Sequence, residues 1–403
     1  MSVVVVGGGP AGLACGIELR RRGVADVVVL DREEHAGGIP RHCEHQGFGV
    51  RDLRRVLSGP RYAQRYVELA RAAGVEVRAT TMATGWDASG AVELTTPGGR
   101  EGLQADAVVL ATGCRERPRS ARLVPGTRAE GVLTTGLLQQ LAQRGLPIGE
   151  RALIVGAEHV SYSALLTLAH AGVAVAGMVT DLPRQQSLPL AGTAAALRYR
   201  VPLWTSMEVV DIRGWPRVEE VELRGGDGQS RRVACDTVVF TGDWIPDHEL
   251  AVFGGLDLDS GTRGPRVDTA LRTSLAGVFA AGNVVQGAEP ADVAGLAGKH
   301  SAAAVPVWLQ ERDWPASVPV SCLAPLRWVS PNAVSSASPP PRGRFLLRAS
   351  AFLDRPRIEI RQDTRVLWSG RLRRLVPGRS AALPWDWIGS VDANSGPIEL
   401  SAH

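Results

Sequence analysis

Val3-Val4-Val5-Val6-Gly7-Gly8-Gly9-Pro10-Ala11-Gly12 joins a β-branched apolar run to a glycine-rich turn. Four consecutive valines fit a strand buried on both faces of a parallel sheet. Gly7, Gly9 and Gly12 complete G-x-G-x-x-G, and a helical pattern follows through Cys15 to Leu19 and stops at Gly23. A second apolar run, Val27 to Leu30, ends in Asp31, nineteen positions after Gly12. Strand, helix, strand and terminal acid in this register form a dinucleotide-binding fingerprint. Gly7 permits the tight turn, Gly9 lets the backbone approach a pyrophosphate, and Gly12 lets helix and strand pack closely. The helix N-terminus offers unpaired N–H groups and a partial positive charge to that pyrophosphate. Asp31 can accept hydrogen bonds from ribose hydroxyls.

A second unit of the same kind starts at Arg151. Arg151 to Val155 reads as a buried strand, Gly156-Ala157-Glu158-His159-Val160-Ser161 takes the place of the fingerprint, and a helical pattern runs to Gly172 before a strand ending at Val179. Here Glu158 replaces the second glycine and Ser161 the third. A carboxylate about 5 Å from a phosphate, at an effective dielectric near 20, costs about 3 kcal/mol per like-charge pair. That is roughly a hundredfold in affinity. Glu158 can also occupy the helix N–H groups that a ligand would need. The expectation is a domain with the fold of an NAD(P)H site but not its use; a nucleotide bound in a shifted pose is the alternative.

Other segments resemble the FAD domain of the two-dinucleotide-domain flavoproteins, the pyridine nucleotide-disulfide oxidoreductase superfamily. They are the loop Ala36 to His45, a helical stretch from Tyr62 to Ala73, and short strands at Val75 to Arg78 and Ala91 to Leu94. Val108-Val109-Leu110-Ala111-Thr112-Gly113 is similar to the superfamily's strand end, and Gly277 to Asn283 to its closing flavin motif. The resemblance implies FAD at the first site. It implies contacts from Gly7, Gly9, Pro10, Ala11, Gly12, Asp31, Arg32, Gly38, Ile39, Pro40, Arg41, His42, Ala111, Thr112, Gly113, Gly282, Asn283 and Ala294. Asn283 stands where the superfamily usually has an Asp that binds the ribityl hydroxyls; Asn loses the charge but still donates and accepts. Pro290-Ala291-Asp292 opens a helix. By the same resemblance its N-terminus points at flavin N1 and O2, where the dipole favours the negative charge of reduced flavin. Lys299 and His300 lie more than a turn further in and read as solvated or packed.

Disulfide reductases of this fold often carry two cysteines in the loop after the second strand. This loop holds only Cys43, with no other cysteine before Cys114, which excludes a dithiol relay within it. A flavin adduct or a bond to another thiol stays open. Arg41-His42-Cys43-Glu44-His45 is too short a stretch to supply a tetrahedral ligand set without a distant second cluster, so no metal is expected. His42, His45 and Glu158 are the candidate catalytic residues, the histidines as proton donors.

Gly113 to Thr135, with the Gly37 to Gly49 loop, resembles the FAD subunits of opine, hydroxyproline and glycerol-3-phosphate dehydrogenases and of hydrogen cyanide synthase. This likeness covers roughly residues 2–305. It implies a subunit of a complex that oxidises a small amine or hydroxy substrate and passes electrons to a protein or quinone. It also implies a second flavoprotein and a small iron–sulfur protein as partners. The tail has only Cys322, so it carries no iron–sulfur cluster of its own. Two other readings remain: a single-chain NAD(P)H-dependent reductase of disulfide-reductase type, and a noncatalytic FAD-bearing scaffold protein.

The chain has 403 residues, 44% hydrophobic and 21% charged, with a net charge of +4. That composition suits a globular chain of two or three domains. Lys299 is the only lysine, and the arginines are interleaved with acids rather than blocked, so no nucleic-acid footprint is present. Five widely spaced cysteines without C-x-x-C spacing read as reduced, mostly buried thiols. No stretch reaches the ~18 apolar residues of a membrane span. Met1 to Leu13 lacks a basic flank and is broken by glycines, so a cytoplasmic protein is expected.

The expected fold class is α/β: two Rossmann-like three-layer dinucleotide-binding domains and a small C-terminal all-β module. The FAD domain is expected to be discontinuous, 1–119 and 243–312, with the NAD(P)-like domain, 120–242, inserted. Residues 313–342, rich in Pro and Ser, read as a linker, and 343–403 as the β module with a hairpin turn at Gln362-Asp363-Thr364.

Overall fold

The computed structural model describes residues 1–187, 198–287, 289–335 and 338–403. The chain forms two compact units: residues 1–41, 47–114 and 245–403, and residues 42–46 and 115–244.

The first unit is built on a parallel sheet in the order Val278–Ala280, Ala107–Leu110, Ser2–Val6, Asp26–Leu30, Glu76–Arg78. Its strands are buried almost end to end, which demands cover on both faces. Cover comes from the helices Pro10–Arg21, Gly59–Ala72 and Ala291–Ser301 and from an antiparallel meander, Met82–Trp86, Val92–Thr96 and Gly99–Leu103. Val92 and Leu94 of the meander join the same core as Val5, Leu13 and Phe279. The strand Val278–Ala280 comes from far along the chain, so the FAD domain is discontinuous, as expected.

The second unit repeats the plan. Its parallel sheet runs Val132–Thr134, Thr237–Phe240, Arg151–Val155, Ala174–Val179, Leu203–Trp204. Helices Thr135–Gln143 and His159–His170 accompany it, with an antiparallel meander of Met207–Arg213, Glu220–Gly225 and Ser230–Ala234. Both α/β layers thus have the three-layer form expected from the two β-α-β readings.

The linker reading of 313–342 is corrected. That stretch holds the strands Val318–Cys322, Leu326–Ser330 and Ala333–Val334. The Pro/Ser composition hid an alternation in which Val318 and Val320 point inward while Ser321 donates its hydroxyl to Ile398 O. The β module therefore begins near 318. Its five-stranded sheet runs Ala333–Val334, Val318–Cys322, Ile398–Ala402, Arg357–Gln362, Arg365–Arg371. A three-stranded sheet of Leu326–Ser330, Phe345–Ala349 and Ala381–Leu383 packs around the same core of Phe345, Leu347, Ile358, Ile360, Trp387 and Leu400. The hairpin turn falls at Asp363-Thr364, with Asp363 at φ 51°. No helix among the described residues is long and apolar enough to cross a membrane.

Candidate flavin site

In the first unit, the fingerprint glycines divide into those that touch protein and one that faces open space. Gly7 has φ 114°, and a Cβ there would stand 2.4 Å from Ala111 O. A Cβ on Gly12 would stand 1.9 Å from Gly7 O. These two glycines hold the turn against the strand end Ala107–Leu110 and the helix against the turn. A Cβ on Gly9 would meet only Gly38 Cα, at 3.9 Å. No side chain caps the helix that follows Gly9, and Pro10, lacking an N–H, takes its first turn. The result is an open backbone cradle at a helix N-terminus with its donors unclaimed by any side chain, which fits a diphosphate.

The loop 36–41 closes on this cradle. Gly37 N–H donates to Gly8 O at 2.7 Å, and a Cβ on Gly38 would stand 2.9 Å from Gly9 Cα. Arg41 pairs with Glu33. Pro40 is buried and Ile39 is exposed. Asp31 is buried against Gly8, where a Cβ would stand 2.4 Å from its Oδ2, and its Oδ1 accepts the Glu33 N–H at 2.9 Å. Burial holds its carboxyl above the ordinary range despite that bond and the nearby Arg41 and Arg32. Arg32 is exposed and lies 4.0 Å from Asp247. On the other flank, Ala111 N–H donates to Val6 O, Thr112 Oγ1 donates to Asp247 O at 2.6 Å, and a side chain on Gly113 would meet nothing within 4 Å.

The closing motif reaches the same helix. Gly282, at φ 78°, would place a Cβ 2.6 Å from Ala11 Cβ and 3.6 Å from Ala294 Cβ. Gly298 would place one 1.9 Å from Ala11 O, so the helices Pro10–Arg21 and Ala291–Ser301 cross almost backbone to backbone. Asn283 is held at both ends of its amide: Nδ2 donates to Glu289 O and Oδ1 accepts Glu289 N–H, each at 3.1 Å. One lone pair on Oδ1 and one N–H on Nδ2 remain for ribityl hydroxyls. Asp292, in the first turn of its helix, is buried and is gripped by the Arg51 guanidinium at 3.0 and 3.1 Å and by the Arg51 N–H. Asp52 beside it accepts the Tyr62 and Tyr66 hydroxyls at 2.6 and 2.7 Å. Of Lys299 and His300, the first is exposed and the second bonds Thr269 O at 2.8 Å.

In the second unit, Glu158 is the N-cap of helix His159–His170 and closes a capping box with Ser161, whose Oγ accepts the Glu158 N–H at 3.1 Å. Ser161 is fully buried and also bonds Thr241 Oγ1 at 2.7 Å, filling the gap a third glycine would leave. The Glu158 carboxylate lies on Gly242 and faces Arg122. Arg122 itself donates to Arg117 O, Thr241 O and Gly242 O and lies over the Phe240 ring at 5.3 Å.

Residues 42–46 pack in this second unit. The His42 ring meets Gln143 Oε1, and the His45 ring meets Ser163 Oγ at 2.8 Å and Gln46 O at 3.0 Å. Cys43 is buried and donates to Gln139 Oε1 at 3.3 Å; burial pushes its thiol up to about 12. Among the described residues, no disulfide joins the five cysteines. Sequence reasoning missed the Arg51–Asp292 pair, the tyrosines on Asp52 and the close approach at Gly298. Only Gly298 left a trace, as a glycine inside a helix.

The family model for pyridine nucleotide-disulphide oxidoreductases matches residues 1–298. The larger of two curated likenesses is to opine oxidase of Agrobacterium tumefaciens (strain Ach5): its A-type polypeptide is 28% identical over 389 residues, covering 87% of this chain and 71% of that protein. The HcnB component of hydrogen cyanide synthase from Pseudomonas aeruginosa is 28% identical over 262 residues, covering 62% of this chain and 53% of that one. Among solved structures, thioredoxin reductase of T. acidophilum superposes with a TM-score of 0.62 at 21% identity, over 75% of this chain and 97% of that one. An NAD-dependent persulfide reductase from A. fulgidus does so with a TM-score of 0.60 at 20% identity, over 90% of this chain and 68% of that one. With the fold, the open cradle at Gly9 and the family match in agreement, the chain belongs to the pyridine nucleotide-disulfide oxidoreductases and is an FAD-dependent oxidoreductase.

Proposed function

We propose that this chain is the flavin-bearing subunit of a dehydrogenase complex that oxidises a small amine or hydroxy compound. Electrons then leave for a protein or quinone acceptor rather than exchanging with a bound nicotinamide. The observation that carries this reading is the Glu158 carboxylate lodged on Gly242 in the second fingerprint, with Ser161 in the third glycine's place. The likeness to proteins named as subunits of opine oxidase and hydrogen cyanide synthase supports it.

Bound FAD supplies a hydride acceptor at its N5 atom. The chain's own residues hold and tune it. The first turn at Ala11 and Gly12 presents its N–H groups to the diphosphate, and Asp31 takes the ribose hydroxyls with Arg32 at the rim. Gly38, Ile39, Pro40 and Arg41 form one wall, Ala111, Thr112 and Gly113 another, and Asn283 binds the ribityl chain. The helix Ala291–Ser301 aims its N-terminus at the pyrimidine edge, with Ala294 on its inner face. His42 and His45 are the proton-handling candidates in this reading, Gln143 and Ser163 fixing their rings. Glu158 serves as a cap and a block. The proposed partners are a second flavoprotein and a small iron–sulfur protein.

The test is purification with native partners followed by anaerobic mixing. A small amine or hydroxy substrate should bleach the flavin within turnover time, while NADPH and NADH should not. Rapid bleaching by either nucleotide overturns the proposal.

A further inference from the structure

The C-terminal β module meets the flavin-motif segment through a buried ion pair. The Arg348 guanidinium donates to Glu289 Oε1 at 3.3 Å, and both side chains are less than a tenth exposed. Ser380 completes the joint: its hydroxyl donates to Glu289 Oε1 and accepts Arg348 Nε–H at 3.1 Å. Arg348 also lies over the Trp328 ring at 5.0 Å. Glu289 faces two ways. Its side chain belongs to the β module's ion pair, while its backbone N–H and C=O grip the two ends of the Asn283 amide. One residue later the chain enters the helix that carries Ala294 and Gly298.

We infer that Arg348 is a positioning residue for the flavin site, acting through Glu289 on Asn283 and on the start of helix Ala291–Ser301. A surface appendage would not bury a charge to hold this one residue. An unpaired charge at such a depth is strongly unfavourable, so either partner alone forces the segment to move. The grip also accounts for an amide at position 283. A carboxylate there accepts the Glu289 N–H but has no donor for Glu289 O. Other joints between module and motif hold the surrounding loops. Asn332 Oδ1 accepts the Val267 N–H at 2.7 Å, and Ser330 Oγ donates to Gln286 Oε1 at 2.8 Å. Of these joints, the Arg348 one ends on Asn283. The inference rests on FAD at the first site and not on the choice of substrate or acceptor.

The test uses full-length protein, deflavinated and titrated with FAD by fluorescence quenching, with the visible spectrum of the reconstituted flavin as a second readout. Arg348→Met should weaken FAD binding at least about tenfold and shift the flavin bands, by leaving Glu289 charged and alone. Arg348→Met combined with Glu289→Gln removes both charges and should recover affinity to within about threefold of the parent. Asp354→Ala, which breaks the exposed Asp354–Arg374 pair in the same module, should leave affinity and spectrum unchanged. Parent-like affinity and spectrum in Arg348→Met overturn the inference, as does a double variant no better than the single one. If Arg348→Met does not fold, Ser380→Ala decides: about threefold weaker FAD binding is expected, and unchanged binding overturns the inference.

Discussion

Glu158 and Gly242 share one space: a side-chain Cβ on Gly242 would stand 1.4 Å from Glu158 Oε1. A carboxylate so placed meets an incoming nucleotide with like charge, at a cost of about 3 kcal/mol for one phosphate about 5 Å away. Glu158→Gly should therefore raise NADPH affinity at least about tenfold over the parent. Calorimetric titration of both proteins measures it, and equal affinities refute the electrostatic account.

Gly9 and Gly12 should fail in different ways. Gly9→Ala adds a methyl group with room in the protein, 3.9 Å from its nearest neighbour, at an ordinary negative φ of −80°. Its apoprotein should melt within about 2 °C of the parent, yet bind FAD at least about a hundredfold more weakly. Gly12→Ala drives a methyl group into Gly7 O and should destabilise the apoprotein by several kcal/mol, in the range of about 3–5. Melting curves with and without FAD separate the two effects. A Gly9→Ala protein that binds FAD normally places the diphosphate elsewhere.

Cys43 should be chemically inert. With its thiol pushed up to about 12, the reactive thiolate at pH 8 is only about one part in ten thousand. Iodoacetamide at that pH should leave Cys43 unlabelled in the folded protein and label it after denaturation, read by peptide mass mapping. Cys43→Ser should keep flavin reduction within about twofold of the parent. Loss of reduction in that variant would give the thiol a chemical role.

Glu116 carries a pH signature. It is buried, its Oε2 accepts the Gly136 N–H at 2.8 Å, and burial raises its pKa, opposed in part by that bond and by Arg122. A raised folded-state pKa makes the protonated form the stabilising one. Its contribution is whole below the unfolded value near 4.5 and is lost as pH rises through the folded-state value. Glu116→Gln keeps an acceptor for Gly136 and removes the buried charge. It should raise Tm at pH 7 by roughly 2–4 °C, with the gain shrinking towards pH 4.5. Calorimetric scans across pH check both the sign and the slope; a gain independent of pH removes ionisation from the explanation.

Local pattern carried the parts of this fold whose physics is local. Val3 to Asp31 and Arg151 to Val179 each encode strand, turn, helix and strand within about thirty residues, and both appear as read. The Glu158 substitution was visible because the fingerprint sets an expectation for that one position. The 318–334 strands were not, because their pairing partners include Ile398–Ala402, far along the chain, and prolines interrupt their alternation. Asn283 was noticed as an exception, but its partner Glu289 lies in a stretch with no periodicity, and Arg348 becomes its neighbour only through tertiary packing. Charged residues such as Arg51 and Asp292 meet for the same reason: chain pattern records which face a side chain takes, not which distant charge it finds there.

The strand Val278–Ala280 borders Ala107–Leu110 in the first sheet, with the whole second nucleotide-type fold spelled out between them. On a ribosome adding about 5–20 residues per second, Ala107–Leu110 waits roughly ten to thirty seconds with one row of backbone donors and acceptors unmatched. A bare apolar β edge is a template for joining another nascent chain. Production of this protein should therefore respond to the pace of translation and to chaperone supply during that interval, more than to the stability of the finished molecule.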